Sequence, residues 1–154
     1  MYFEEDCTYH IYNRSNEVVF EDRANYIFFL QKVRKHIMPC AHILCYCLMP
    51  NHFHFIVKVK KEGAVFFVNN RVNEMQRLTR AFGTVLSSYT QAINTKKKRR
   101  GSLFAHKTRA KLLNDTKNDY AFSCFMYVHQ NPILAHLVNK RVRRVIRQTL
   151  TGAL

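Results

Sequence analysis

Met49-Pro50-Asn51-His52-Phe53-His54-Phe55 is the stretch that most restricts what this chain can fold into. Pro50 presets φ for the first central position of a turn, and Asn51 tolerates the second. The flanking runs, 43–48 and 53–59, are apolar, aromatic and β-branched, which predicts a β-hairpin. Side chains alternate along a strand, so His52 and His54 share one face while Phe53 and Phe55 point to the other. Two imidazoles at that spacing can share a metal ion. They can equally be ordinary strand histidines, one half-buried and one solvated.

The partner of such a face is suggested by charge. The 154 residues carry 25 Lys and Arg against 10 acids, a net +15. Solubility does not need that excess, and a polyanion explains it, most simply nucleic acid bound through its phosphates. No run is apolar enough for a membrane span. The acidic start, Glu4-Glu5-Asp6, is the reverse of a signal peptide. Five cysteines without a Cys-x-x-Cys pair read as small hydrophobes in a reducing compartment. At 47% hydrophobic residues, the length suits one globular domain.

The rest of the chain supplies elements around the hairpin. Residues 7–14 alternate as a first strand, and residues 21–37 form a helix with Ala24, Ile27, Phe28, Leu30, Val33 and Ile37 inward, stopped by Pro39. A second helix is expected over residues 72–93, with Met75, Leu78, Phe82, Val85, Leu86 and Tyr89 inward. Lys96, Lys97, Lys98, Arg99 and Arg100 read as a mobile basic loop able to contact phosphates. Residues 103–113 alternate again, a fourth strand with Lys107, Arg109 and Lys111 on one face. A third helix follows over residues 117–130, ended by Asn131-Pro132. The tail, 139–154, is basic.

This order predicts an α+β domain: an antiparallel sheet of about four strands with two helices on one face and a third helix near the other. Phe53, Phe55, Val57 and Val59 would pack on the helices. His52, His54, Ile56, Lys58 and Lys60 would make a polar, basic second face. A metal beside cations suits phosphoryl transfer. Only 10 acids, mostly near the N-terminus or at helix starts, argue against a carboxylate-cage nuclease. The ligand types leave the metal open, since imidazole suits several transition metals and oxygen suits Mg²⁺ or Mn²⁺. A nucleophile could be water or Tyr127. Tyr127 and Asn131 are four apart on one helix face, so an amide could meet the metal while a phenol meets phosphorus. Tyr127 could also be a plain core aromatic.

Four blocks carry a resemblance: Tyr9-His10-Ile11-Tyr12-Asn13-Arg14, Leu48-Met49-Pro50-Asn51-His52-Phe53-His54, Gly101-Ser102-Leu103-Phe104 and Tyr127-Val128-His129-Gln130-Asn131-Pro132. In order and spacing they resemble the small single-tyrosine transposases of the HUH superfamily, including the REP-associated ones. The resemblance covers about residues 9–138, one domain of 1–138, and leaves 139–154 as a basic tail.

The resemblance implies a ferredoxin-like or RRM-like sheet and a transposase cutting and rejoining single-stranded DNA. His52 and His54 would hold a divalent metal, Mg²⁺ or Mn²⁺. Asn131 stands at the place of the third ligand, with Gln130 as the weaker candidate. Tyr127 would attack to give a 5′-phosphotyrosine link. Single-stranded or hairpin DNA would be the partner, homodimers are common, and the compartment would be the prokaryotic cytoplasm, at the nucleoid. Arg14, Lys58, Lys107 and Arg109, with the run from Lys96 to Arg100, are the candidate phosphate contacts. The alternative is a domesticated, non-catalytic nucleic-acid-binding protein, with Tyr12, Tyr46 and Phe104 as stacking platforms. His10 could reach the metal face if the first strand lies beside the third, although a satisfied strand histidine is the commoner reading.

Overall fold

The computed structural model describes residues 1–68, 74–104, 107–113 and Met126. The expected third helix with Tyr127 and Asn131, and the basic tail, otherwise lie outside the described residues. Strand β1 (Thr8–Arg14), helix α1 (Arg23–His36) and the hairpin β2 (Ala41–Met49) and β3 (His52–Val59) come first. A four-residue helix α2 (Lys61–Ala64) and a small hairpin, β4 (Phe66–Val68) and β5 (Glu74–Gln76), precede α3 (Arg77–Lys97) and β6 (Arg109–Leu112). The main sheet has the order β2-β3-β1-β6 and is antiparallel throughout. Together with the order of its elements this is the ferredoxin-like arrangement.

One face of β3 builds the core. Phe53, Phe55, Val57 and Val59 are all at most 1% exposed and cluster with Phe29 and Val33 of α1 and Leu78, Phe82, Val85 and Tyr89 of α3. Both long helices therefore lie on that face. The helical stripe of α1 is rotated from the expected one: Asn25, Phe29 and Val33 are buried, while Ile27 is exposed. The N-terminal cap sets this rotation. Asp22 accepts from the Asn25 N–H at 2.8 Å, and the buried Asn25 amide accepts from the Glu21 N–H at 3.1 Å.

Three further expectations are corrected. Residues 74–76 pair as a strand with residues 66–68, so α3 starts at Arg77 and Met75 is exposed. The fourth strand shortens to Arg109–Leu112, because Leu103 and Phe104 are drawn into the core. There Ser15 donates to the Leu103 carbonyl at 2.5 Å and Phe104 meets Phe53 edge-on. The basic run is no mobile loop. Lys96 and Lys97 close α3, with Lys98 in the left-handed region as its cap.

A bulge in β2 decides what lies on the opposite sheet face. Pairing with β3 shifts between Ile43 and Cys45, leaving Leu44 exposed. Before it, Ala41 and Ile43 sit opposite Val59 and Val57 of the core face; after it, Cys45, Cys47 and Met49 sit opposite Ile56, His54 and His52. One extra residue thus moves the odd positions to the other side. Cys45, Cys47, Met49, Ile56 and Leu113 form a second buried cluster there. The histidine face is consequently half apolar, where a polar, basic face was expected.

Candidate active site

The strand register places the site. Tyr12 lies opposite His54, Arg14 opposite His52 and His10 opposite Ile56, all on the face away from the helices. From β6, Arg109 stands opposite Tyr12 and Lys111 opposite His10. The His52 and His54 rings are 5.1 Å apart and perpendicular. Asn51, held in the turn, brings Oδ1 to 2.8 Å from Nδ1 of His52. An amide oxygen only accepts, so this Nδ1 carries the hydrogen and Nε2 keeps the lone pair.

His54 is 8% exposed and His10 6%. Nε2 of His10 lies 2.9 Å from Nδ1 of His54, and their rings are nearly parallel. Tyr12 stacks on His10 at 4.8 Å and on His54 at 5.9 Å. All three imidazoles are pushed below the usual histidine value. Burial is the first cause for each. Lys111 adds to it at His10, Arg14 at His52, and the neighbouring rings at His54. They are neutral at pH 7, the form in which histidine binds a metal. The pair thus suits a divalent cation as two of its ligands, with His52 oriented by an outer carbonyl. Among the described residues no group of three or more His, Cys, Asp or Glu could hold one.

The predicted phosphate contacts divide. Arg14 and Arg109 are exposed on the histidine face. Lys58 shares that face but is near its far end, in an ion pair with Asp6 at 3.0 Å. Lys96, Lys97 and Arg99 are ion-paired with Asp22, Glu21 and Glu17, away from the histidines. Lys98, Arg100 and Lys107 line a cleft of about 920 Å³ along α3, beside Asn13, Ser87 and Gln91. Tyr127 and Asn131 lie outside the described residues. Two of the supposed stacking platforms are turned to the core face: Phe104 is buried and Tyr46 stacks on Phe55.

Asn51 is the neighbour the sequence reading left out, and His10 one that it weighed and set second to a plain strand role. Asn51 could have been found, since an amide next to a candidate ligand in a tight turn is a ready orienting group. His10 required knowing that β1 lies beside β3.

The fold has a solved counterpart. A REP-associated tyrosine transposase, in a structure with a REP hairpin, superposes with TM-score 0.62 at 13% identity, over 90% of this chain and 73% of that one. The chain therefore has the fold of that small tyrosine transposase. A candidate transposase from Deinococcus radiodurans aligns at 11% identity over 82% of this chain and 91% of its own, with TM-score 0.45. No protein-family profile and no curated protein matches the sequence.

Proposed function

We propose that this chain is a transposase that cuts and rejoins single-stranded DNA through a tyrosine nucleophile. The observation that carries the reading is the pair His52 and His54, neutral and adjacent, on a sheet whose fold a REP-associated tyrosine transposase shares. The four sequence blocks and the net charge of +15 support it.

In this reading Tyr127 Oη attacks the scissile phosphorus as its proton is lost. The P–O3′ bond breaks, the 3′-oxygen leaves as a hydroxyl, and a 5′-phosphotyrosine forms. Attack by a 3′-hydroxyl of another strand reverses the step and frees the tyrosine. His52 and His54, with Asn131, would hold a divalent cation, Mg²⁺ or Mn²⁺, which when bound supplies positive charge at the phosphate. Arg14 and Arg109 hold the backbone near the histidines, and Lys107 extends the track around the β6 edge. Cationic neighbours favour the phenolate. The partner is single-stranded DNA with a hairpin, met by a homodimer in the prokaryotic cytoplasm, at the nucleoid.

Covalent capture tests this. Incubated with Mn²⁺ and an end-labelled, hairpin-bearing single strand, the protein should yield an adduct that survives denaturing electrophoresis. Tyr127→Phe should yield none. A wild-type protein that binds the strand tightly yet never forms the adduct would return the non-catalytic binder as the better reading.

A further inference from the structure

The His10–His54 contact poses a question of tautomer. A neutral imidazole has one N–H and one lone pair. Two arrangements satisfy the 2.9 Å contact between His10 Nε2 and His54 Nδ1. If His10 donates, His54 carries its own hydrogen on Nε2 and cannot ligate through that atom. If His54 donates from Nδ1, its Nε2 keeps the lone pair, and His10 carries its hydrogen on Nδ1. The second arrangement repeats what Asn51 does for His52, whose Nδ1 faces Oδ1 at 2.8 Å. Both histidines then present the same atom, Nε2.

We propose that His10 is a positioning residue which accepts the Nδ1–H of His54 and so keeps Nε2 of His54 as the cation-binding lone pair. This rests on the functional reading above and adds a residue to it.

Two observations favour that role over plain packing. His10 is 6% exposed, yet its Nδ1 has no hydrogen-bond partner among the described residues. A leucine or phenylalanine would fill the place without burying such a nitrogen, so stability alone does not call for histidine. Tyr12 packs on both imidazoles, 4.8 Å from His10 and 5.9 Å from His54, so one phenol ring covers the pair. The His10 and His54 centroids are 5.1 Å apart with their nitrogens at 2.9 Å, the spacing of two rings meeting edge to edge, which an in-plane N–H···N bond requires. Outer groups that hold a ligand imidazole by its second nitrogen commonly govern metal affinity.

The test uses the full chain, with and without a hairpin-bearing single strand, and reads Mn²⁺ affinity from the free-ion electron spin resonance signal. His10→Leu should weaken Mn²⁺ binding about 10–100-fold while the melting temperature holds or rises. His10→Gln, whose Oε1 can accept from His54, should recover most of the affinity. Nitrogen-15 spectra of the histidine rings with Mg²⁺ and the strand should show the His54 hydrogen on Nδ1. Equal Mn²⁺ affinity in wild type and His10→Leu would overturn the positioning role and leave the transposase reading standing. So would a His54 ring protonated at Nε2 with the cation bound. A wild-type chain that takes up no Mn²⁺ under either condition would overturn the metal-dependent reading, and this inference with it.

Discussion

Phe55 and His54 are neighbours on β3, 0% and 8% exposed, yet what holds each in place differs in kind. Phe55 belongs to an aromatic cluster in which Phe29, Phe53 and Phe82 are close and no hydrogen bond is needed. His54 sits on the other face, beside His10 and His52, and its placement depends on which nitrogen bears the hydrogen. Burial alone does not separate the two faces. The core face tolerates any well-shaped apolar filling, whereas the histidine face is specified by donors and acceptors.

The largest expected effects set these neighbours against each other. Phe55→Ala should lose about 3–5 kcal/mol of folding stability, because a fully buried ring leaves a cavity beneath both helices. Chemical denaturation measures it. His54→Ala should leave most of the stability and cut adduct formation about a thousandfold, the scale of several kcal/mol of transition-state stabilisation. If His54→Ala instead unfolds the chain and retains its rate per folded molecule, the two faces do not divide the labour as described.

Acid should find the histidine face first. The His10 and His54 rings are both held below the ordinary value of 6.5 by burial. Below pH 6.5 the unfolded chain therefore binds more protons than the folded one, and stability falls as pH drops. In the metal-free protein about 1–2 kcal/mol per ring should disappear between pH 7 and pH 5. His10→Leu should flatten that slope, and an unchanged slope would mean these rings are not buried neutral. A smaller effect belongs to the helix side: Asp22→Ala removes the α1 cap and should cost about 1 kcal/mol at any neutral pH.

How much of this was legible in the sequence follows the same division. Alternation along β3 and the spacing of Leu78, Phe82, Val85 and Tyr89 mark the core, because an apolar stripe is a local pattern. The hairpin and the His52–His54 pair are local too. The β2 bulge at Leu44 is not, and it put Cys45 and Cys47 on the histidine face with Ile56 and made that face half apolar. The place of His10 turned on strand order, since its partner is forty-four positions away. The α1 stripe was misplaced because Asn25, a polar residue, is buried by its cap hydrogen bond, where hydrophobic counting assigns it to solvent.

The five-residue basic run shows the same error in charge. Read alone, Lys96 to Arg100 is the densest cation cluster and the natural phosphate arm. In the fold, Lys96, Lys97 and Arg99 meet Asp22, Glu21 and Glu17, while the isolated Arg14 stands exposed opposite His52. Cations already paired with carboxylates displace fewer counterions when DNA arrives. Lys97→Ala should therefore change stability by at most about 1 kcal/mol and leave the salt dependence of strand binding nearly unaltered. Arg14→Ala should weaken binding across sequences and lower the log–log salt slope by about one. Fluorescence anisotropy over a salt series measures both. A larger slope change for Lys97→Ala than for Arg14→Ala would move the DNA track to the helix side, where Lys98, Arg100 and Lys107 already line a cleft.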